Sequence, residues 1–234
     1  IDLQTENVII YIPTTENGSK YYGRNTRWCT ASKNNNMFNR YSNKSPLYII
    51  QSVSTPADKY QFHFTSMQFM DSSDNPVNPL EIINQFHDEY LLNWFNEKIR
   101  HYIFNNSKLL KYASQELKND HSIISHAVSR YGYYLRDASP QLQDNPDIVS
   151  KAVFFYGDAL QYASPRLCDE PEIVFKAVMS NGIALKYASP RLQNETCIVL
   201  ASVMNCGNAL EYASPRLQND PNIVLAAVNK YGMA

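Results

Sequence analysis

A block built on Tyr-Ala-Ser returns every 25 residues along the second half of this 234-residue chain. Gly132, Gly157, Gly182, Gly207 and Gly232 fall on that period, and so do Ala113, Ala138, Ala163, Ala188 and Ala213. Self-similarity at a fixed spacing of this length marks a stacked array. In such arrays each unit touches only its neighbours, and stability adds up from the units and the interfaces between them. The period therefore constrains half of the fold before any single residue is considered. It leaves the non-repetitive first half as the place to look for chemistry.

One repeat, residues 159–182, shows how the unit is written. Ala159, Leu160, Tyr162 and Ala163 predict a helix of one to two turns. Ser164 and Pro165 end it, because the residue before a proline is pushed out of the α region. Leu167 then points an apolar side chain back to the core. Pro171 suits a first helical position, where no N–H is needed. Ile173, Val174, Ala177 and Val178 fall on one face by their i, i+3, i+4 spacing. Gly182 is expected to end that helix as a left-handed cap. Each repeat is thus expected to be a pair of short helices, neither able to bury its apolar face alone.

Two further series run through the repeats. Tyr112, Tyr162, Tyr187 and Tyr212 share one position, interrupted by Asp137, and read as a ladder packed between repeats or as an aromatic binding stripe. Arg166, Arg191 and Arg216 share another. Neighbouring repeats lie on the order of 10 Å apart, so the arginines would form a row able to grip phosphates or an acidic protein partner. The alternative is pairing with acids of the following turn, such as Asp169, Glu170 and Asp220. Acidic and basic residues balance in this half, so it has no broad basic face for nucleic acid.

The length suits one array and one small domain. A net charge of −1 gives the chain as a whole no electrostatic steering. Cys29, Cys168, Cys197 and Cys206 are scattered without a Cys-x-x-Cys pair, so neither a structural metal nor a disulfide framework is expected, and no cofactor. No run of apolar residues is long enough to span a membrane, and no signal peptide is present. The expectation is a protein that is not secreted and has no membrane partner. The chain opens on Ile1 and closes on Tyr231-Gly232-Met233-Ala234, the start of another repeat, and is expected to be part of a longer protein.

In the first half, Val8–Ile12, Leu47–Val53 and Lys59–Phe64 predict strands, and Met67–Met70 a fourth that completes a hairpin. Arg27 to Tyr41 has helical character. A long amphipathic helix is expected from Leu80 to about Phe104, carrying Ile83, Phe86, Tyr90, Leu91, Trp94, Phe95, Ile99 and Ile103. Two constellations stand out. Cys29, near the start of a helical segment, with His63 on a strand and Asp71 after the next, has the order of a thiol nucleophile, its base and the base's orienting carboxylate. That order resembles the transglutaminase-like and papain-like pattern, although Trp28 precedes Cys29 where papain-like enzymes have the reverse. The alternative is a buried structural Cys29 and a His63 satisfied within the sheet. The second constellation is charge. No acidic residue lies between Glu16 and Asp58, whereas Lys20, Arg24, Arg27, Lys33, Arg40 and Lys44 do, interleaved with Tyr21, Tyr22, Trp28, Phe38 and Tyr41. Cations position phosphates and aromatic faces stack bases, so Lys20, Arg24, Arg27, Trp28 and Arg40 are candidates for binding nucleotide or RNA. A solvated basic loop is the plainer reading.

The Ala-Leu-x-Tyr-Ala-Ser start, the Ile-Val-x-x-Ala-Val helix and the closing glycine, in five copies over residues 107–234, resemble a domain-of-unknown-function family of short repeats found in giant DNA viruses and some amoeba-associated bacteria. Gln115 in place of proline and Asp137 in place of tyrosine are the main departures. The family carries no activity to transfer and implies a scaffold or protein-binding array. Residues 23–31 and 59–71 are similar to a domain of uncharacterised phage and large-virus proteins. Together these predict a small α+β domain over 1–79, a connecting amphipathic helix over 80–106, and an α-solenoid of two-helix 25-residue repeats over 107–234. The expected function is a non-catalytic viral scaffold or adaptor whose array binds another protein, in host cytoplasm or virion. The alternatives are a cysteine-dependent acyl-transfer enzyme or hydrolase, and a nucleotide- or RNA-binding protein.

Overall fold

The computed structural model describes residues 1–28, 30–31 and 36–231. They divide into two compact units, 1–117 and 118–234.

The first unit is built on an antiparallel sheet of five strands in sequence order: β1 (Leu3–Gln4), β2 (Val8–Tyr11), β3 (Tyr48–Ser52), β4 (Lys59–His63) and β5 (Gln68–Met70). Pairing of Ile10 with Ile50, Ile50 with Tyr60 and Phe62 with Phe69 puts Val8, Ile10, Tyr48, Ile50, Phe62, Phe64 and Phe69 on one face. That face is the core, covered by two helices, α3 (Pro79–Gln85) and α4 (Glu89–Ile103). Edge-to-face contacts join Phe62 to Phe95 and both Tyr48 and Phe64 to Trp94, while Phe64 stacks on Tyr102. The opposite face is covered by residues of the long β2–β3 connection, which includes α1 (Glu16–Tyr22) and α2 (Phe38–Ser42).

The single long helix expected from Leu80 to Phe104 is two helices. Phe86 and His87 close α3 through backbone bonds to Ile83 and Asn84, and His87 adopts a left-handed φ of 48°. Asp88 then accepts from the Leu91 amide at 3.0 Å and caps a new helix. The apolar spacing continued across the break, so periodicity alone did not reveal it.

In the second unit each repeat has three helical pieces where two were expected. A 3-10 turn (Gly157–Tyr162) leads to a shorter turn (Leu167–Asp169) and then a ten-residue α-helix (Pro171–Ser180). The ten-residue helices at 121–130, 146–155, 171–180 and 196–205, and the helix at 221–231, pack each on the next. In the four ten-residue helices the buried faces repeat the same four positions, as in Ile148, Val149, Ala152 and Val153. Helices this short are marginal alone, and each buried Val or Ile adds about 1.5–3 kcal/mol against exposure.

Gly132, Gly157, Gly182 and Gly207 are not left-handed caps; no described glycine has positive φ. They open the 3-10 turns, and a Cβ on Gly132, Gly157 or Gly182 would fall inside 3.0 Å of a carbonyl oxygen in the next repeat, Ala152, Ala177 or Ser202. Close backbone approach between repeats, rather than conformation, is what requires glycine.

Candidate functional site

On the second face of the sheet, β4 presents Lys59, Gln61 and His63 by alternation, and all three are buried. Each holds a different part of the β2–β3 connection. The Lys59 ammonium donates to the carbonyls of Tyr22 at 2.9 Å and Arg24 at 3.1 Å. The Gln61 amide oxygen accepts from the Thr30 hydroxyl. His63 Nε2 meets the Ser45 hydroxyl at 2.9 Å and the Tyr41 carbonyl at 3.2 Å. This polar row fastens Tyr22, Arg24, Thr30, Tyr41 and Ser45 to the sheet, and burial pushes both the Lys59 ammonium and the His63 imidazolium below their ordinary pKa values.

Cys29 lies outside the described residues. The other two members of the expected Cys29–His63–Asp71 set are not joined. His63 Nδ1 meets the Ser66 hydroxyl at 2.5 Å, where an orienting carboxylate was expected. Asp71 follows β5 three residues beyond Gln68, the partner of His63. Its carboxylate accepts from the amides of Ser73 and Asn75 at 2.8 and 2.9 Å and from the Asn75 side chain at 3.1 Å, which holds its pKa low. Asp71 therefore shapes a turn.

The basic segment is also rearranged relative to expectation. Trp28 is buried to 1% exposure and its indole donates to the Asp71 carbonyl, so its ring face cannot stack a base. Lys20 pairs with Glu16 at 2.6 Å. Arg24, Arg27 and Arg40 are exposed, with the Arg24 guanidinium 4.6 Å from the Tyr21 ring centroid. Lys33 lies outside the described residues.

In the repeats, Arg166 and Arg191 pair backward. Arg166 Nε lies 3.0 Å from Asp144 and Arg191 Nε 3.0 Å from Asp169, each also donating to that residue's carbonyl, at 2.8 and 2.6 Å. Arg216 makes the same pair of bonds to Asn194 at 2.9 and 2.8 Å, so a neutral acceptor serves as well. The expectation of the following turn's acids had the direction reversed. The repeat serines join the same clamp: Ser164 and Ser189 donate to Asp144 and Asp169.

A feature missed in the sequence lies on the outer side of the ten-residue helices. Phe154, Met179 and Met204 occupy one repeat position and are 63%, 53% and 60% exposed. One turn earlier, Phe175 and Leu225 are also exposed and Leu200 half-buried. The signal was present as large apolar residues at position 9 of three of the ten-residue helices and at position 5 of two of them, outside the four positions that make the core.

A family model matches this architecture three times in succession, over residues 88–143, 145–193 and 197–234. These matches cover more than half of the chain. The chain belongs to the family described as Domain of unknown function (DUF4116). The first match starts at Asp88, the cap of α4, so the family's sequence unit takes in that helix as well as the Tyr-Ala-Ser repeats. No curated protein and no solved structure matches the chain. Among the described residues no group of three or more His, Cys, Asp or Glu could hold a metal, and no helix is long and apolar enough to cross a membrane.

Proposed function

We propose that the repeats form a solenoid that binds another protein along the row of Phe154, Phe175, Met179 and Met204. The observation that supports this is recurrence. Large apolar side chains return at one solvent-facing position in three consecutive, mutually packed helices. Isolated exposed apolar residues are ordinary, whereas a contiguous strip of them marks a contact surface. Methionine suits such a surface because its flexible, polarizable side chain adapts to a partner's shape. The arginine row is a weaker candidate, since its guanidinium groups already clamp adjacent repeats. On this reading the protein is a scaffold or adaptor. The resemblance of the repeats supports a viral setting for this role, with host cytoplasm or virion as its place of work.

The test is affinity capture with the wild type and with the double variant Met179→Lys, Met204→Lys, after both are shown to melt alike. A discrete protein retained by the wild type and lost by the variant is the expected result. Equal retention by both would remove the row from the account.

A further inference from the structure

A pocket of about 230 Å³ opens between the C-terminal end of α1 and the β3–β4 turn, lined by Arg24, Asn25, Gln51, Pro56, Ala57 and Lys59. It holds two cations and no acid. Lys59 is 6% exposed and spends two of its three N–H groups on the carbonyls at and just beyond the end of α1. That role alone accounts for a buried lysine, since a cation complements the negative end of a helix. It does not account for Arg24, which lines the same cavity and whose positive charge disfavours that of Lys59. The nearby carboxylates are committed elsewhere: Glu16 to Lys20, Asp58 to the Thr55 hydroxyl at 2.6 Å, and Asp71 to its own turn. Gln51 sits opposite Lys59 in the sheet register and adds a neutral amide, as does Asn25, held in the left-handed region at φ 66°.

We propose that this pocket binds a phosphate group, of inorganic phosphate or of a phosphomonoester, between Lys59 and Arg24. A buried point charge beside a planar guanidinium fork is the donor set that phosphate oxygens favour. The bound anion removes the like-charge repulsion that the empty pocket carries. The cavity has room for the phosphate, and the rest of an ester lies outside it. This site is independent of the protein-binding surface on the repeats.

Calorimetric titration of the full chain with inorganic phosphate, with AMP and with a short single-stranded RNA tests it, in the wild type, Arg24→Gln and Lys59→Met. Saturable phosphate binding with a millimolar or lower Kd, weakened about tenfold in Arg24→Gln and abolished in Lys59→Met, is expected. AMP binding more tightly than phosphate identifies a phosphomonoester as the ligand, and equal binding identifies the free anion. Arg24 is exposed, so Arg24→Gln keeps the test valid even if Lys59→Met fails to fold. Absence of saturable phosphate and AMP binding up to roughly 10 mM, affinity unchanged in Arg24→Gln, or binding of RNA alone would overturn the proposal.

Discussion

Gly157 shows how a single atom sets the spacing of two repeats. A methyl group there would meet the Ala177 carbonyl and the Asn181 backbone of the next repeat, neither of which can turn aside. Gly157→Ala is expected to destabilise the protein by about 1–3 kcal/mol, the usual cost of overpacking, read as a lowered midpoint of urea unfolding. His63 is the counterpart in the sheet. Its imidazole is buried and neutral, with a pKa below the ordinary 6.5. The unfolded chain therefore takes up the proton first, so the stability present above about pH 6.5 falls as pH drops toward the folded-state value. Comparing unfolding midpoints at about pH 7.5 and about pH 5.5 should show this loss in the wild type and less of it in His63→Gln. A loss of equal size in both would place the effect elsewhere.

At the scale of elements, β4 carries the lesson about what a sequence reveals. Its alternation of Lys59, Gln61 and His63 with Tyr60, Phe62 and Phe64 gave the strand and its apolar face correctly. The same alternation suggests a solvent-facing polar side, yet that side is buried under residues of the β2–β3 connection. Such burial depends on partners 18 to 37 residues away, Ser45, Thr30, Arg24 and Tyr22, and no local pattern encodes it. The break between α3 and α4 was hidden for the opposite reason: the apolar spacing ran straight through it, and only the Asp88 cap marks the new start. The repeat helices were legible because five copies vote on each position. Their four core positions were readable from spacing, whereas the exposed apolar row required seeing which large side chains were left outside. Ile148→Ala, in the core, is expected to cost about 2–5 kcal/mol. Met179→Lys, on the outer row, should stay within about 0.5 kcal/mol. Urea unfolding of the two variants checks both figures, and a large loss for Met179→Lys would mean that the row is part of the packing.

At the scale of the whole molecule, the two units divide the labour in different ways. The first has a buried polar row and a small cationic pocket on a sheet whose other face is the hydrophobic core. The second repeats one packing solution, with backbone glycine contacts and serine–arginine clamps joining neighbours and a row of apolar side chains outward. Repetition of this kind gives a surface whose length grows with the number of repeats, which suits binding to an extended partner. The most direct measurement is site-specific photo-crosslinking in cells that express the protein, with the crosslinker placed at position 179 or 204, or at the exposed Lys186 as a control. A discrete crosslinked protein at 179 and 204, absent at 186, is the predicted result. No adduct at either position, or the same adduct at all three, would contradict the assignment of the outer row as the binding surface.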